Sequence, residues 1–549
     1  MKWHIQSPQI PQSLIELEKI LLQNRSIQEA DDFFKGKSPF KISLEQLGIK
    51  KQELSKIKKR LVQAREKQEK IVIFGDYDAD GISATAVLWQ VLHDQGYQVL
   101  PFIPNRLKHG YGLSVKALND LLIKEPKISL VITVDNGIVA HKALDFLKQK
   151  NIDVIVSDHH QSDDKRVNAL AVFHSSQVCG CAVAWFLARE LSTEAQKKLL
   201  IDLLGLVAIA TVTDLMPLLS LNRSLLMYGL AVLRANKNLG LKKLFSKAAI
   251  DVSKIDAYTL GFQIGPRINA MGRLADGMDA LRLLCTKNEK KTDELSDLLQ
   301  NTNEDRQNLT FDSIGQAEKI ISEEKDQTLI FLSSKEYHEG IIGLIAGKMT
   351  EKFSKPSIVV SVGEEVSKAS ARSLADFNIT EFIRLFKKDL LEAGGHPLAA
   401  GFALETSKIE LVKKAMQSKA NELLAGQNLE KTLEVETVLP TDLLTVKTIK
   451  LIDKFAPFGL ANPKPIFVLE KALIKNYKLL GREQEHLKLV VSFDRAEVEY
   501  EILAWGQAAL TSKLKIGEYF DLVATLEINS YRDFEKVQLV LKDFKKPRH

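Results

Sequence analysis

Cysteine is scarce: Cys179, Cys181 and Cys285 are the three in 549 residues. They are too few and too unevenly spaced for a disulfide framework or a four-ligand zinc site, and they read as buried thiols. No run of about 18 apolar residues occurs, so no membrane span and no membrane partner are expected. The N-terminal stretch MKWHIQSPQIPQSLIELEKILLQ lacks the continuous apolar segment of a signal peptide, which makes the cytoplasm the default compartment. No segment has the composition of a disordered tail, and no internal repeat is visible. A formal charge of +6 and a pI near 8.8 are too small a surplus over this length to name a polyanion partner.

What remains is ordinary globular composition, 45% apolar and 27% charged, over a length that implies two to four domains. Residues 1–50 mix Pro8, Pro11 and Pro39 with short amphipathic pieces and read as an N-terminal helical layer. From Lys70 the pattern changes. KIVIFGD, YQVLPFIP, SLVITVDNG and IDVIVSDHH are β-branched runs separated by helical stretches, the mark of a parallel α/β sheet. In the first such stretch Ala84, Val87, Leu88, Val91 and Leu92 fall on one helical stripe that Gly96 terminates. This catalytic α/β domain is placed at 51–235. A helical region follows at 236–325, in which residues 290–324 contain no Pro and one Gly and spell a long polar connecting helix. DQTLIFLSS and KPSIVVSVG, with glycine-rich turns at HEGIIG and EAGGHPLAAG, define a second α/β domain at 326–427. Beyond it, at 428–549, ALIKNYKLL, HLKLVVSFD, VEYEILAWG, EYFDLVATLEI and EKVQLVLKDF are strands at short intervals, an all-β barrel pattern.

The chemistry concentrates at strand ends. Asp76, Asp78 and Asp80 in DYDADG follow the apolar strand KIVIF, where ligands of parallel sheets gather. Three carboxylates so close repel one another unless a cation neutralises them. A calcium loop is excluded, since its twelfth position requires Glu and holds Val87, and a strand rather than a helix precedes it. Asp135 ends SLVITVD, while Asp158, His159 and His160 end IDVIVSDHH, so further strands deliver acids and imidazoles to the same sheet edge. Asp214 follows LLGLVAIA, an apolar stretch long enough to carry it back there. Oxygen ligands with one or two imidazoles suit Mn²⁺ or Mg²⁺ better than zinc, and shared carboxylates can hold two ions about 3.5 to 4 Å apart.

In this order the segments DYDADG, VDNG, SDHH and TVTD resemble the DHH phosphoesterase family, and within it the bacterial single-strand exonucleases. The likeness continues through IGPRINAMGRL, HEGIIG, SARS, AGGHPLAAGF, PFGLANPKP and HLKLVV, from about residue 70 to the C-terminus. It implies Asp78, Asp80, Asp135, His159 and Asp214 as metal ligands, with Asp76 beside them. His160 is implied to face the scissile phosphate, with Asp158 and Asp135 counted as catalytic alongside it. Ser370, Arg372 and Arg273 are implied to hold a 5′-terminal phosphate, and Gly394, Gly395 and His396 to contact the strand; Arg106, Arg267 and His338 join the substrate set. Two departures stand out: Ala461 occupies a position that is usually glycine, and the loop after SDHH lacks the usual asparagine-proline pair.

The implied activity is 5′-to-3′ hydrolysis of single-stranded DNA to 5′-mononucleotides, by a monomer. The resemblance names a single-strand-binding protein and a RecQ-type helicase as candidate partners. The rivals are a phosphodiesterase of dinucleotides or short oligoribonucleotides, a manganese pyrophosphatase, and a non-catalytic DNA-binding relative. Intact carboxylates oppose the last. The C-terminal region opposes the other two, because Tyr477, Phe493, Trp505, Tyr519 and Tyr531 lie there among Lys475, Lys478 and Lys488, as in a strand-binding OB fold. Alternate strand residues must fill a barrel's core, and Tyr531, in the polar turn NSYRDF, has the best claim to exposure.

Overall fold

The computed structural model describes residues 1–549 except Tyr111, Asp164, Asn236, residues 324–326, 426–431, 494–497, 532–533 and 548–549, and the side chains of Glu323 and Tyr531. Two compact units divide the chain. One is formed by Met1–Lys37, Pro217–Ser224 and Glu430–His549, the other by Ser38–Met216 and Leu225–Leu429. Among the described residues no helix is long and apolar enough to cross a membrane.

The chain opens with β1 (Lys2–Ile5), which belongs to the first unit. The second unit holds the site. Its first sheet is β2 (Lys70–Phe74), β3 (Val99–Phe102), β4 (Ile128–Val134), β5 (Asp153–Asp158) and β6 (Ala171–His174), in the order β3-β2-β4-β5-β6 and parallel throughout. Parallel neighbours need crossover helices. Ala79–Asp94, Val115–Lys124 and His141–Gln149 supply them. With both faces covered, Ile71, Val72, Ile73 and Phe74 are all fully buried, which is why KIVIF reads as a continuous apolar run. The chain leaves β2 toward β3 on one side and leaves β4 toward β5 on the other, so the connections diverge between β2 and β4. A crevice opens there, beyond the carboxyl ends of these strands.

The polar stretch folds as one helix, Glu289–Glu323. After it come β7 (Ile330–Ser334), β8 (Ser357–Ser361), β9 (Val366–Arg372), β10 (Glu392–His396) and β11 (Ala399–Glu405), ordered β10-β11-β9-β8-β7. EAGGHPLAAG is therefore a strand hairpin, β10 against β11, and not merely the glycine-rich turn the sequence suggested. Its glycines and alanines carry little β propensity and form strands because β9 supplies the ladder beside β11.

In the first unit, β12 (Thr432–Val435) pairs in parallel with β1. Strand β1 thus lies inside the segment read as helical. The strands β13 (Phe467–Leu480), β14 (His486–Phe493), β15 (Glu499–Ala504), β16 (Tyr519–Tyr531) and β17 (Phe534–Lys545) close a barrel in the order β13-β14-β15-β17-β16. Leu487, Leu489 and Val491 alternate into its core with Ile502, Phe520, Leu522 and Leu539. Phe493 is core, whereas Trp505 and Tyr519 are 55% and 49% exposed; Tyr531's side chain lies outside the described residues. The buried Arg223 donates to the carbonyls of Phe33, Phe455 and Ala456, which ties Pro217–Ser224 to this unit.

Candidate metal centre and anion site

The aspartate loop is shaped by its own hydrogen bonds. Asp78 caps the Ala79–Asp94 helix, its Oδ1 accepting from the N–H groups of Asp80 and Gly81 at 3.0 Å each. Asn269, on the Gly265–Leu274 helix, accepts from Ala79 N at 2.7 Å. Asp80 turns inward, and its two oxygens accept from Gly180 and Cys181 N–H at 2.7 Å, at the start of the Gly180–Leu191 helix. That helix end favours an anion. Glycine is required at 180, where a Cβ would sit 2.4 Å from Asp135 Oδ1. Asp135 itself leaves β4 with φ 61°, a left-handed conformation that costs about 1 kcal/mol or more in a non-glycine residue.

His159 sits at the centre. Its Nε2 lies 3.1 Å from Asp135 Oδ1 and 3.7 Å from Asp80 Oδ2, and its Nδ1 lies 3.6 Å from Asp214 Oδ2. Asp214 arrives as the C-cap of the Lys197–Thr213 helix, whose interior is buried nearly all round. Three ligand sets have all their donor atoms within 4.8 Å of one another: Asp76, Asp78 and Asp135; Asp135, His159 and His160; Asp80, His159 and Asp214. Asp135 and His159 each occur in two of the three sets, so the sets form one continuous cluster.

The donors fit divalent cations. Burial, then the charges of neighbouring carboxylates, pushes Asp76, Asp80, Asp135 and Asp214 well above the usual carboxylate range. Among the described residues, Asp76 Oδ1, Asp135 Oδ1 and His159 Nε2 are buried without a hydrogen-bond partner. Orphaned buried acceptors on mutually repelling acids are expensive unless positive charge satisfies them.

Asp158 is used differently. Its Oδ2 accepts from Ile138 N–H, and its Oδ1 accepts from the N–H groups of His159 and His160 and from the His160 ring at 2.8 Å. It belongs to none of the three sets and orients the histidine pair. Burial opposes charge on His160, but the Asp158 bond and the charges of Asp158, Asp214 and Asp76 override it and push the imidazole up to about 9. His174, which sequence reasoning missed, meets the His160 carbonyl at 2.7 Å through Nε2.

A second cluster carries the opposite charge. Arg273 lies buried beside Arg106, Arg306 and Arg372, and burial followed by these like charges lowers it to about 10. Arg372 donates to Ser370 Oγ at 3.2 Å, and Gly343 packs against both side chains where a Cβ would crowd them. Arg273 donates to the Gly340 carbonyl, and Gly340 N–H donates to His338 Nδ1. Among the described residues none of these arginines forms an ion pair. Arg306, on the long helix, was not singled out from sequence, and its Nε is buried without a partner among the described residues. Arg267 stands slightly apart, held by Gln300 and the Gln263 carbonyl. Arg106 lies over the Tyr77 ring at 5.3 Å. Gly394, Gly395 and His396 form the exposed edge strand β10, and the charge of His396 reaches His159.

A sheet whose switch-point crevice holds such acids, joined to a second α/β layer by a long helix, defines a DHH-type phosphoesterase. The family model for the DHH N-terminal domain matches residues 70–211, that for the DHHA1 domain 313–422, and that for the RecJ OB domain 435–543. The chain belongs to the RecJ family of single-stranded-DNA-specific exonucleases. It is 30% identical to RecJ of Thermus thermophilus over 493 residues, 89% of this chain and 70% of that one. Identity to RecJ of Escherichia coli is 28% over 94% of this chain and 93% of the relative. Identity to RecJ of Bacillus subtilis is 32% over 88% of this chain, which spans 62% of that relative's length. The crystal structure of Thermus thermophilus RecJ with Mn²⁺ superposes with a TM-score of 0.83 at 26% identity, covering 100% of this chain and 80% of that one. A crystal structure of exonuclease RecJ bound to manganese gives 0.60 at 31% identity, covering 71% of this chain and 99% of that one.

Proposed function

We propose that this chain is a metal-dependent exodeoxyribonuclease that degrades single-stranded DNA from the 5′ end and releases 5′-mononucleotides. The observation that carries the reading is the convergence of five aspartates and two histidines beside an arginine cluster that, among the described residues, has no carboxylate partner. Asp76, Asp78, Asp80, Asp135, His159 and Asp214 would hold two Mn²⁺ or Mg²⁺ ions, the metals named for the Thermus thermophilus RecJ structures. When bound, such ions activate water and neutralise charge on the departing oxygen. His160, oriented by Asp158, faces the scissile phosphate. Arg106, Arg273, Arg306 and Arg372 with Ser370 take the terminal phosphate, whose oxygens their guanidinium forks match. Gly394, Gly395 and His396 guide the strand, with Arg267 and His338 at the margin of the anion site. The OB barrel binds single strands through exposed aromatics and lysines.

A single-strand-binding protein and a RecQ-type helicase are the two partners proposed for a monomeric enzyme working in the cytoplasm in recombination and repair. End-labelled single-stranded and duplex DNA and RNA, incubated with Mn²⁺ or Mg²⁺, test the reading. Mononucleotides released from the 5′ end of single-stranded DNA are expected. Preferential cleavage of dinucleotides or short RNA would replace the reading with that of a small phosphodiesterase.

A further inference from the structure

Arg106 is aimed chiefly by the backbone that carries it. Among the described residues its guanidinium makes no hydrogen bond or ion pair; it lies over the Tyr77 ring at 5.3 Å, near enough to Arg273 and Arg372 for its charge to act on both. A long side chain without a polar anchor keeps its direction only if the chain beneath it is held. That chain is a single helical turn, Arg106–His109, a few residues beyond β3. One turn of helix is too short to be stable by itself.

His109 closes the turn. Its N–H donates to the Asn105 carbonyl at 2.8 Å, and its ring Nδ1 accepts from the Asn105 N–H at 2.9 Å. Across the ring, Nε2 meets Asp120 Oδ2 at 3.1 Å, and the His109 carbonyl accepts from Ser114 Oγ at 3.0 Å. The side chain is 8% exposed, with its ring 6.2 Å from that of Phe102 on β3. These partners leave the imidazole one state. A backbone N–H can only donate, so Nδ1 must carry a lone pair. Bonds from Lys108 and His109 hold Asp120 down to about 2, so it is a carboxylate and can only accept. The proton therefore sits on Nε2, in a neutral ring fixed from both sides.

The far end of this chain of contacts is rigid. Asp120 lies on the Val115–Lys124 helix, which Ser114 caps by accepting from Ala117 N–H at 3.2 Å. Ala117, Leu118 and Leu121 of that helix are buried in the same core as Val72 and Phe74 of β2. His109 thus ties the turn that carries Arg106 to the layer that packs on the catalytic sheet.

We infer that His109, locked between the Asn105 N–H and Asp120, is a positioning residue that aims Arg106 at the terminal phosphate of the strand. The inference rests on the role proposed above for the arginine cluster. His109 itself touches no substrate. It acts by removing freedom from the turn before the phosphate arrives, so that Arg106 binds without a further ordering cost.

The test measures kcat and KM separately with Mn²⁺ on oligothymidylate ending in 5′-phosphate or 5′-hydroxyl. His109→Ala should raise KM for the phosphate strand about 10-fold, the lower range of a charge-assisted contact, while kcat and the hydroxyl strand stay nearly unchanged. His109→Asn, whose Oδ1 can stand where Nδ1 accepts from Asn105, should restore most of the preference. Adding His109→Ala to Arg106→Ala should remove no further preference, because the first residue acts through the second. A phosphate preference that survives His109→Ala overturns the inference, as does a further loss in the double variant or an asparagine variant no better than alanine. An equal loss on both strands with a lower melting temperature assigns His109 a structural role and overturns it too. Equal use of both strands by the unaltered enzyme is a different result, which rejects the reading of the arginine cluster and the inference with it.

Discussion

Replacing Arg273 with methionine should separate ligand binding from folding, because its charge is unfavourable to the fold and useful to a phosphate. The guanidinium is buried among Arg106, Arg306 and Arg372 and is lowered to about 10, which corresponds to roughly 3 kcal/mol of burial and repulsion. Against this stands one hydrogen bond to the Gly340 carbonyl, worth about 1 kcal/mol. Methionine fills similar volume and removes the charge, so the melting temperature should hold or rise. The phosphate loses a charge-assisted contact of about 1.5 to 3 kcal/mol, a 10- to 150-fold loss of preference. The assay is kcat/KM on matched strands ending in 5′-phosphate or 5′-hydroxyl. The unaltered enzyme should favour the phosphate, and Arg273→Met should reduce that ratio by the stated factor with little effect on the hydroxyl substrate. An unchanged ratio, or a large drop in melting temperature with equal loss on both substrates, would refute the assignment.

Asp135→Asn removes a shared ligand and a repelling charge together, so turnover should fall by orders of magnitude while the metal-free protein gains about 1 kcal/mol, roughly 2 to 4 °C; calorimetric melting in EDTA checks the sign. Trp505, packed edge-on to His486 at 4.9 Å and half-exposed, should act through stacking. Trp505→Ala is expected to weaken long-strand binding several-fold at unchanged salt slope, whereas neutralising the exposed Lys475 and Lys478 should flatten the slope by about 1.4, at 0.7 per contact. A salt titration of both variants distinguishes stacking from charge. Ala461 has φ 61° where the family usually has glycine, so Ala461→Gly should relieve about 1 to 2 kcal/mol of strain against 0.4 to 1 of added chain entropy. A small rise in melting temperature is expected, and a fall would show that the turn favours alanine.

Local pattern made much of the site readable. Asp76, Asp78, Asp80, Asp135 and the SDHH histidines directly follow apolar strands, so the alternation that announces a parallel sheet also places them at one edge. The long helix and the barrel strands were visible for the same reason. What escaped depends on distant partners. Strand β1 is a four-residue piece whose register is set by β12, some 430 positions later, so it could not be told from its helical surroundings. Strands β10 and β11 are built of glycine and alanine and exist because β9 templates them. Arg306 lies in a polar helix where arginine is ordinarily solvated, and burial among other arginines alone distinguishes it. Asp158 looked equivalent to its neighbours, since the sequence does not reveal that both its oxygens are committed to backbone N–H groups and His160.

One centre for two divalent cations among these acids and histidines has a direct consequence for metal binding. Titrating the metal-free protein with Mn²⁺ in a calorimeter tests it without reference to turnover. Two sites per chain are expected, with binding that strengthens as pH rises because carboxylates must ionise to ligate, and with loss of at least one site in Asp135→Asn. Absence of Mn²⁺ binding, or the same stoichiometry and affinity in that variant, would contradict it.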